Sequence, residues 1–144
     1  MSTDTLSPNL AVRPRTGLHV GLWGAQLLLG VMFTFAGFTK LTSALPDLAT
    51  MMPWTTAVPE ALVRFIGTSE LLGGIGLLLP SIFRIQPKLS ALAGAGLATV
   101  MVLAALFHVS RGEYGALPIN VVLGSLAAFV AWGRAYGRPI PARA

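Results

Sequence analysis

From Leu89 to Phe107 the chain carries no charged side chain. A run of that length suits a helix crossing a bilayer, where about 20 apolar residues span the hydrocarbon and every backbone polar group must be satisfied within the segment. Three further stretches can be cut at the chain's own punctuation, so helices are expected over about residues 18–41, 59–80, 88–109 and 117–135. The second is the least apolar, because Glu60, Arg64 and Glu70 all lie within it. Composition agrees with a membrane protein: 54% of the 144 residues are hydrophobic and 10% charged, against about 25% charged in an ordinary soluble protein. The expected fold is all-α, a single integral membrane domain of four transmembrane helices, with a polar tail over 1–17 and a basic tail over 136–144.

Proline marks the breaks. Pro80 and Pro87 bracket the link Ser81–Gln86, and Pro118 fits the first turn of the fourth helix, since proline cannot continue a helix but suits its start. The connection from Thr42 to Val58 contains Pro46, Met51, Met52, Pro53 and Trp54. Its apolar content points to an interfacial segment, either an amphipathic loop on the headgroups or a lid over a cavity.

Lysine and arginine set the expected orientation, because cytoplasmic flanks carry them in excess. With both termini inside, that side holds Arg13, Arg15, Arg84, Lys88, Arg134, Arg138 and Arg143, while the other keeps Lys40, Arg64 and Arg111. Seven against three favours N-in, C-in, which places Trp23 and Trp132 near the cytoplasmic interface. The polar start ending in Arg13 and Arg15 resembles the n-region of a secretory signal, but the apolar run that follows is long, lacks a small-x-small cleavage site and ends in Lys40, so it is expected to be a retained signal anchor. The net charge of +5 comes mostly from flank arginines; contact with anionic lipid of the bilayer accounts for it, and no nucleic-acid partner is implied.

There is no cysteine, which excludes thiol–disulfide relays and thiolate-ligated metals. His19 and His108 belong to opposite ends of their helices and cannot jointly ligate a haem or metal. No P-loop, dinucleotide fingerprint or HExxH motif occurs. No metal site is expected.

What remains is a set of polar groups converging on one half of the bilayer. A charge near the membrane centre is costly and normally faces the bundle interior with a partner, which makes Glu70 the centre of any site. Entering at Pro59 with a rise of 1.5 Å per residue, the second helix carries Arg64 roughly 8 Å and Glu70 roughly 16 Å deep. Lys40 closes the first helix on the same face; His108, Arg111 and Glu113 close the third, and Asn120 opens the fourth. Each has a structural alternative. Lys40 could complement the macrodipole and snorkel, His108 could cap its helix or meet headgroups, and Arg111 and Glu113 could be loop charges. Asn120 could hydrogen-bond between helices, Arg64 could pair with Glu60 four residues earlier, and Glu70 could be the counterion of Lys40 or Arg64. Gly67 and Gly74 share a helix face with Glu70. They either leave room for a ligand or let helices approach closely, as the Ser69-x-x-x-Gly73 and Gly17-x-x-x-Gly21 pairs also could.

The segments Gly30-Val31-Met32-Phe33 through Gly37-Phe38-Thr39-Lys40-Leu41, and Gly67-Thr68-Ser69-Glu70-Leu71-Leu72-Gly73-Gly74 with Gly76-Leu77-Leu78-Leu79-Pro80, resemble the DoxX-like family of small bacterial membrane proteins. The ending Ala104-Ala105-Leu106-Phe107-His108 and Asn120 are similar to that group, and the resemblance covers about residues 18–135. It implies a multi-pass protein of the bacterial inner membrane, with Lys40, Glu70 and His108 as the polar centre. The family takes its name from a subunit of a thiosulfate:quinone oxidoreductase, though most members have no assigned activity. A sulfur-transfer role conflicts with the absence of a cysteine to carry a persulfide.

Three functions fit these residues. In the first, the bundle binds a lipophilic small molecule, a quinone or isoprenoid, in a pocket open to the non-cytoplasmic leaflet. Glu70 exchanges a proton, Lys40 and Arg64 tune it and hold an anionic oxygen, His108 relays protons to water, and Gly67, Gly74 and Asn120 complete the binding surface. Reduction or isomerisation would follow, with electrons from an oxidoreductase partner protein. In the second, the chain is a non-catalytic accessory subunit whose polar groups lock its helices. In the third, a homo-oligomer transports a small solute or protons, although the cytoplasmic half offers no polar residue beyond Gln26.

Overall fold

The computed structural model describes residues 16–143. Most of the polar tail expected over 1–17, with Arg13 and Arg15, lies outside the described residues. Every regular element among the described residues is helical: α1 (Thr16–Thr42), a short α2 (Leu45–Met51), a 3₁₀ turn (Pro53–Ala57), α3 (Glu60–Phe83), α4 (Lys88–Ser110), a second 3₁₀ turn (Tyr114–Ala116), α5 (Leu117–Trp132) and a closing π-turn (Gly133–Gly137). Four of these helices are long and apolar enough to cross a membrane, the last counted with its flanking turns. Large apolar side chains such as Phe35, Phe65, Leu72 and Leu92 face outward, as lipid contact requires.

The helix limits follow local chemistry. α3 does not stop at Pro80 but runs through it to Phe83. A proline removes one backbone bond, and here the stop comes instead from Arg84, whose φ of 57° turns the chain left-handed. Pro118 does occupy the first turn of α5, where its missing N–H costs nothing.

α1 and α3 form the tightest pair, because glycines bring their backbones together. A Cβ on Gly37 would collide with the backbone of Gly67 and Leu71, and one on Gly74 with Thr34 and the Gly30 carbonyl. Gly73 is packed on Leu97 of α4, whereas Gly17 and Gly21 face open space and join nothing among the described residues. Leu29, Phe33, Leu77, Leu97, Met101, Ala127 and Val130 fill the interior between the four helices.

The connection between α1 and α3 folds into short helical turns that bury two of its side chains. Leu48 of α2 is fully buried and Thr55 nearly so, its hydroxyl donating to the Met52 carbonyl. Pro46 and Pro53 start its two short helical turns, and the segment folds over the bundle end as a lid.

The opposite end corrects another expectation, that Gln26 is the lone polar residue there. The Gln26 amide donates to the Leu77 carbonyl at 2.7 Å and to the Ser81 hydroxyl at 3.0 Å, and Ser81 shares a 2.7 Å hydrogen bond with Ser90. Arg134 Nε donates to the Gln26 carbonyl oxygen, Nη1 to the Arg138 carbonyl at 3.2 Å, and the guanidinium lies 5.2 Å from the centre of the Trp23 ring. All four spanning segments are thus tied by one buried polar chain.

Candidate functional site

At the lid end the helices enclose a partly open cavity of about 480 Å³. Its wall is largely apolar, with Met32, Phe33, Ile66, Met101, Phe107 and Leu123 among its residues, and Met52, Trp54 and Val58 of the lid segment close one side. Met32, Leu62, Leu103 and Ile119 line it and also keep 38–61% of their surface exposed, so the space communicates with the lipid-facing surface. Four polar side chains reach the wall, one from each spanning segment: Lys40, Glu70, His108 and Asn120.

Lys40 stands in the last turn of α1, where its charge complements the helix dipole. Glu70 sits in mid-α3 on the face that meets α1. The close helix approach at Gly37 and Gly67 sets the two side chains opposite each other, and Lys40 Nζ donates to Glu70 Oε2 at 2.6 Å. Both residues are only 5% exposed. An isolated charge at this depth would carry a desolvation penalty of several kcal/mol that each partner offsets for the other. The pair adds no net charge to the cavity.

Arg64, expected to hold a ligand oxygen, does not line the cavity. Its Nη2 pairs with Glu60 at 2.8 Å, and its Nη1 donates to the carbonyls of Lys40 and Ser43. It caps the C-terminus of α1, satisfying carbonyls that the helix leaves without partners. Gly67 and Gly74, expected to leave room for a ligand, do not line the cavity either; the space beside them is filled by Lys40 Cβ and the Gly37 carbonyl, and by Thr34 and the Gly30 carbonyl. They serve helix approach.

His108 is held by residues that sequence patterns treat as loop charges. α4 ends in a Schellman turn: Gly112, at φ 71°, donates to the Val109 carbonyl and Glu113 N–H to the His108 carbonyl at 2.9 Å. That turn swings Glu113 back over the helix, so His108 Nδ1 donates to Glu113 Oε2 at 2.7 Å while Arg111 Nε donates to Oε1 at 2.7 Å. The bonds from His108 first and Arg111 second hold the Glu113 carboxyl below its ordinary pKa. Arg111 also lies over Phe107, whose ring meets Trp54 edge-on with centroids 6.3 Å apart. With Nδ1 engaged, His108 has Nε2 left for the cavity. An Arg-Gly-Glu sequence just past a helix-terminal histidine was the available signal for this arrangement.

Asn120, expected to complete the binding surface, stands on the cavity wall. It is 8% exposed, yet it forms no hydrogen bond between helices, and its Nδ2 is buried without a partner. Among the described residues no three His, Asp or Glu side chains converge as metal ligands do. The arrangement can supply an apolar body pocket, a compensated buried charge pair, a histidine–carboxylate pair reaching the surface, and one unengaged amide.

Residues 24–130, which include all four polar wall residues, match the DoxX-like family. No curated protein and no solved structure matches the chain. With the match spanning most of its length, the four-helix membrane protein described here belongs to the DoxX-like family.

Proposed function

We propose that this protein binds a lipophilic small molecule, of quinone or isoprenoid type, in the cavity under the lid. The observation that carries the reading is an apolar space of about 480 Å³ that is open to the lipid side and walled by the buried Lys40–Glu70 pair. Pockets of roughly 300–1,000 Å³ with mostly apolar walls and a few placed polar groups are the usual form of small-molecule sites. Glu70 exchanges a proton with the bound molecule, and Lys40 holds the charge that this leaves. His108 and Glu113 lead from the cavity towards the surface and carry protons to water. Redox turnover draws its electrons from a partner protein, whereas isomerisation needs none. The lysine and arginine distribution supports an N-in, C-in arrangement in a bacterial inner membrane, with the lid on the non-cytoplasmic side.

Mass spectrometry of molecules that co-purify with the wild type and with Glu70→Gln in mild detergent tests the reading. A defined lipophile present in the first and absent from a still-folded second is the expected result. Identical lipids in both would leave the Lys40–Glu70 pair as a helix lock, which its bridging of α1 and α3 also allows, and would favour an accessory-subunit role.

A further inference from the structure

Nine polar or charged side chains are buried among the described residues. Eight are engaged: Gln26, Ser81, Ser90 and Arg134 with one another, Lys40 with Glu70, Thr55 with the Met52 carbonyl, and His108 with Glu113. Asn120 alone makes no hydrogen bond. An amide withdrawn from water with no partner costs on the order of 1–3 kcal/mol, and intramembrane asparagines ordinarily meet another helix. Asn120 instead stands in the opening turn of α5, two residues after Pro118, on the cavity wall. Nothing in the protein fixes its terminal amide, whose oxygen and nitrogen ends are nearly equal in size, so rotation about the last side-chain bond presents the NH₂ to the cavity.

We infer that the occupant is an uncharged lipophile bearing a carbonyl oxygen, and that Asn120 is the residue that donates to it. The inference deepens the cavity reading above and rests on it. Asn120 is the one buried donor on the cavity wall that no protein group claims, whereas the Lys40 ammonium is held by the Glu70 carboxylate and Nδ1 of His108 by Glu113. The charge arrangement excludes an anionic head. Lys40 is already neutralised by Glu70, Arg111 by Glu113, and Arg64 by Glu60, so a carboxylate or phosphate would enter an apolar wall without a free cation to meet it. A carbonyl accepts without bringing a hydroxyl proton that would need its own acceptor.

Direct binding of a radiolabelled long-chain 2-alkanone to the full chain in detergent, stripped of co-purified lipid, tests this, with competition by the alkane and the carboxylate of equal length. The ketone should bind the wild type about tenfold more tightly than Asn120→Leu, the loss expected for one hydrogen bond, and both competitors should be weak. Asn120→Leu should melt no lower than the wild type when stripped, because it removes a polar group that nothing in the protein satisfies. A ¹³C-labelled carbonyl bound to the wild type should show its infrared stretch lowered relative to hexane solution. Equal ketone binding by wild type and Asn120→Leu, an alkane that competes as well as unlabelled ketone, or a carbonyl stretch at its hexane position would each overturn the role of Asn120 and leave the cavity reading standing. Preference for the carboxylate would overturn the neutral head. A wild type that binds neither ketone, alkane nor carboxylate, and whose co-purifying lipids match those of Glu70→Gln, would remove the cavity reading itself.

Discussion

Two polar layers cross this bundle, one near each end, and they differ in what surrounds them. In the far layer Gln26, Ser81, Ser90 and Arg134 draw on all four spanning segments, and the space between them is closed. Gly133 presses on Leu22, Gln26 and Ser90 are completely buried, and the Trp23 ring covers the guanidinium. Under the lid, Lys40, Glu70, His108 and Asn120 come from the same four segments but stand around open volume, and one of them is unengaged. Charge is also handled differently. The lid layer cancels its cation with a carboxylate at 2.6 Å, while Arg134 donates to two carbonyl oxygens and lies against an aromatic face, with its Nη2 buried and unpartnered. Buried polarity inside a membrane therefore does not by itself mark a site, since it locks helices equally well. Each layer buries one unpartnered N–H group, Nδ2 of Asn120 and Nη2 of Arg134, so what separates them is the unfilled volume and a side chain beside it that makes no hydrogen bond at all.

The largest effect should come from breaking the ion pair on one side only. Lys40→Met leaves Glu70 buried without its partner and should cost about 3–5 kcal/mol in a denaturant titration. The double variant Lys40→Met/Glu70→Leu should regain most of that stability and still lose the co-purifying lipophile. A double variant that keeps the lipophile would reduce the lid layer to a second lock. Gln26→Leu should be smaller, about 1–2 kcal/mol, because it strips Ser81 and Arg134 of a partner, and it should leave ligand content unchanged. Loss of ligand in Gln26→Leu would mean that the two layers act as one. Smaller again in stability, Trp54→Ala should shift the melting temperature little, because the ring is half-buried in the lid, yet should speed release of a bound ketone.

Much of the lid layer was legible in the chain. Lys40 and Glu70 could be named because a charge inside an apolar run demands a partner, and the Arg64–Glu60 pair follows from their spacing of four. The far layer was not legible. Serines 81 and 90 flank a proline-bracketed link where hydroxyls are ordinary, and Arg134 reads as one more flanking charge until the rotation of the π-turn at Gly133 carries it inward. Gly67 and Gly74 share the Glu70 face in sequence, but whether such a face meets a ligand or a helix depends on the partner's distance, and α1 is too close to leave space. The unengaged state of Asn120 is a count of partners that exists only once the helices are assembled.

The smallest predicted effect tests the surface arm of the lid layer. His108 and Arg111 hydrogen bonds hold the Glu113 carboxyl below its ordinary pKa of 4.5, so the folded state favours its ionised form. The stabilisation this gives the turn after α4 is fully present above the unfolded value and is lost as pH falls through the lower, folded value. The charged groups facing the carboxylate are His108, on the same helix, and Arg111, in the turn. Acidification below about pH 4.5 should therefore perturb the His108 Nδ1 resonance in ¹⁵N-histidine-labelled protein while leaving that of His19 on its own course. Glu113→Gln should remove this acid step. An identical step in that variant would show that Glu113 does not set the proton on His108, and the path from cavity to surface would then have to run through another group.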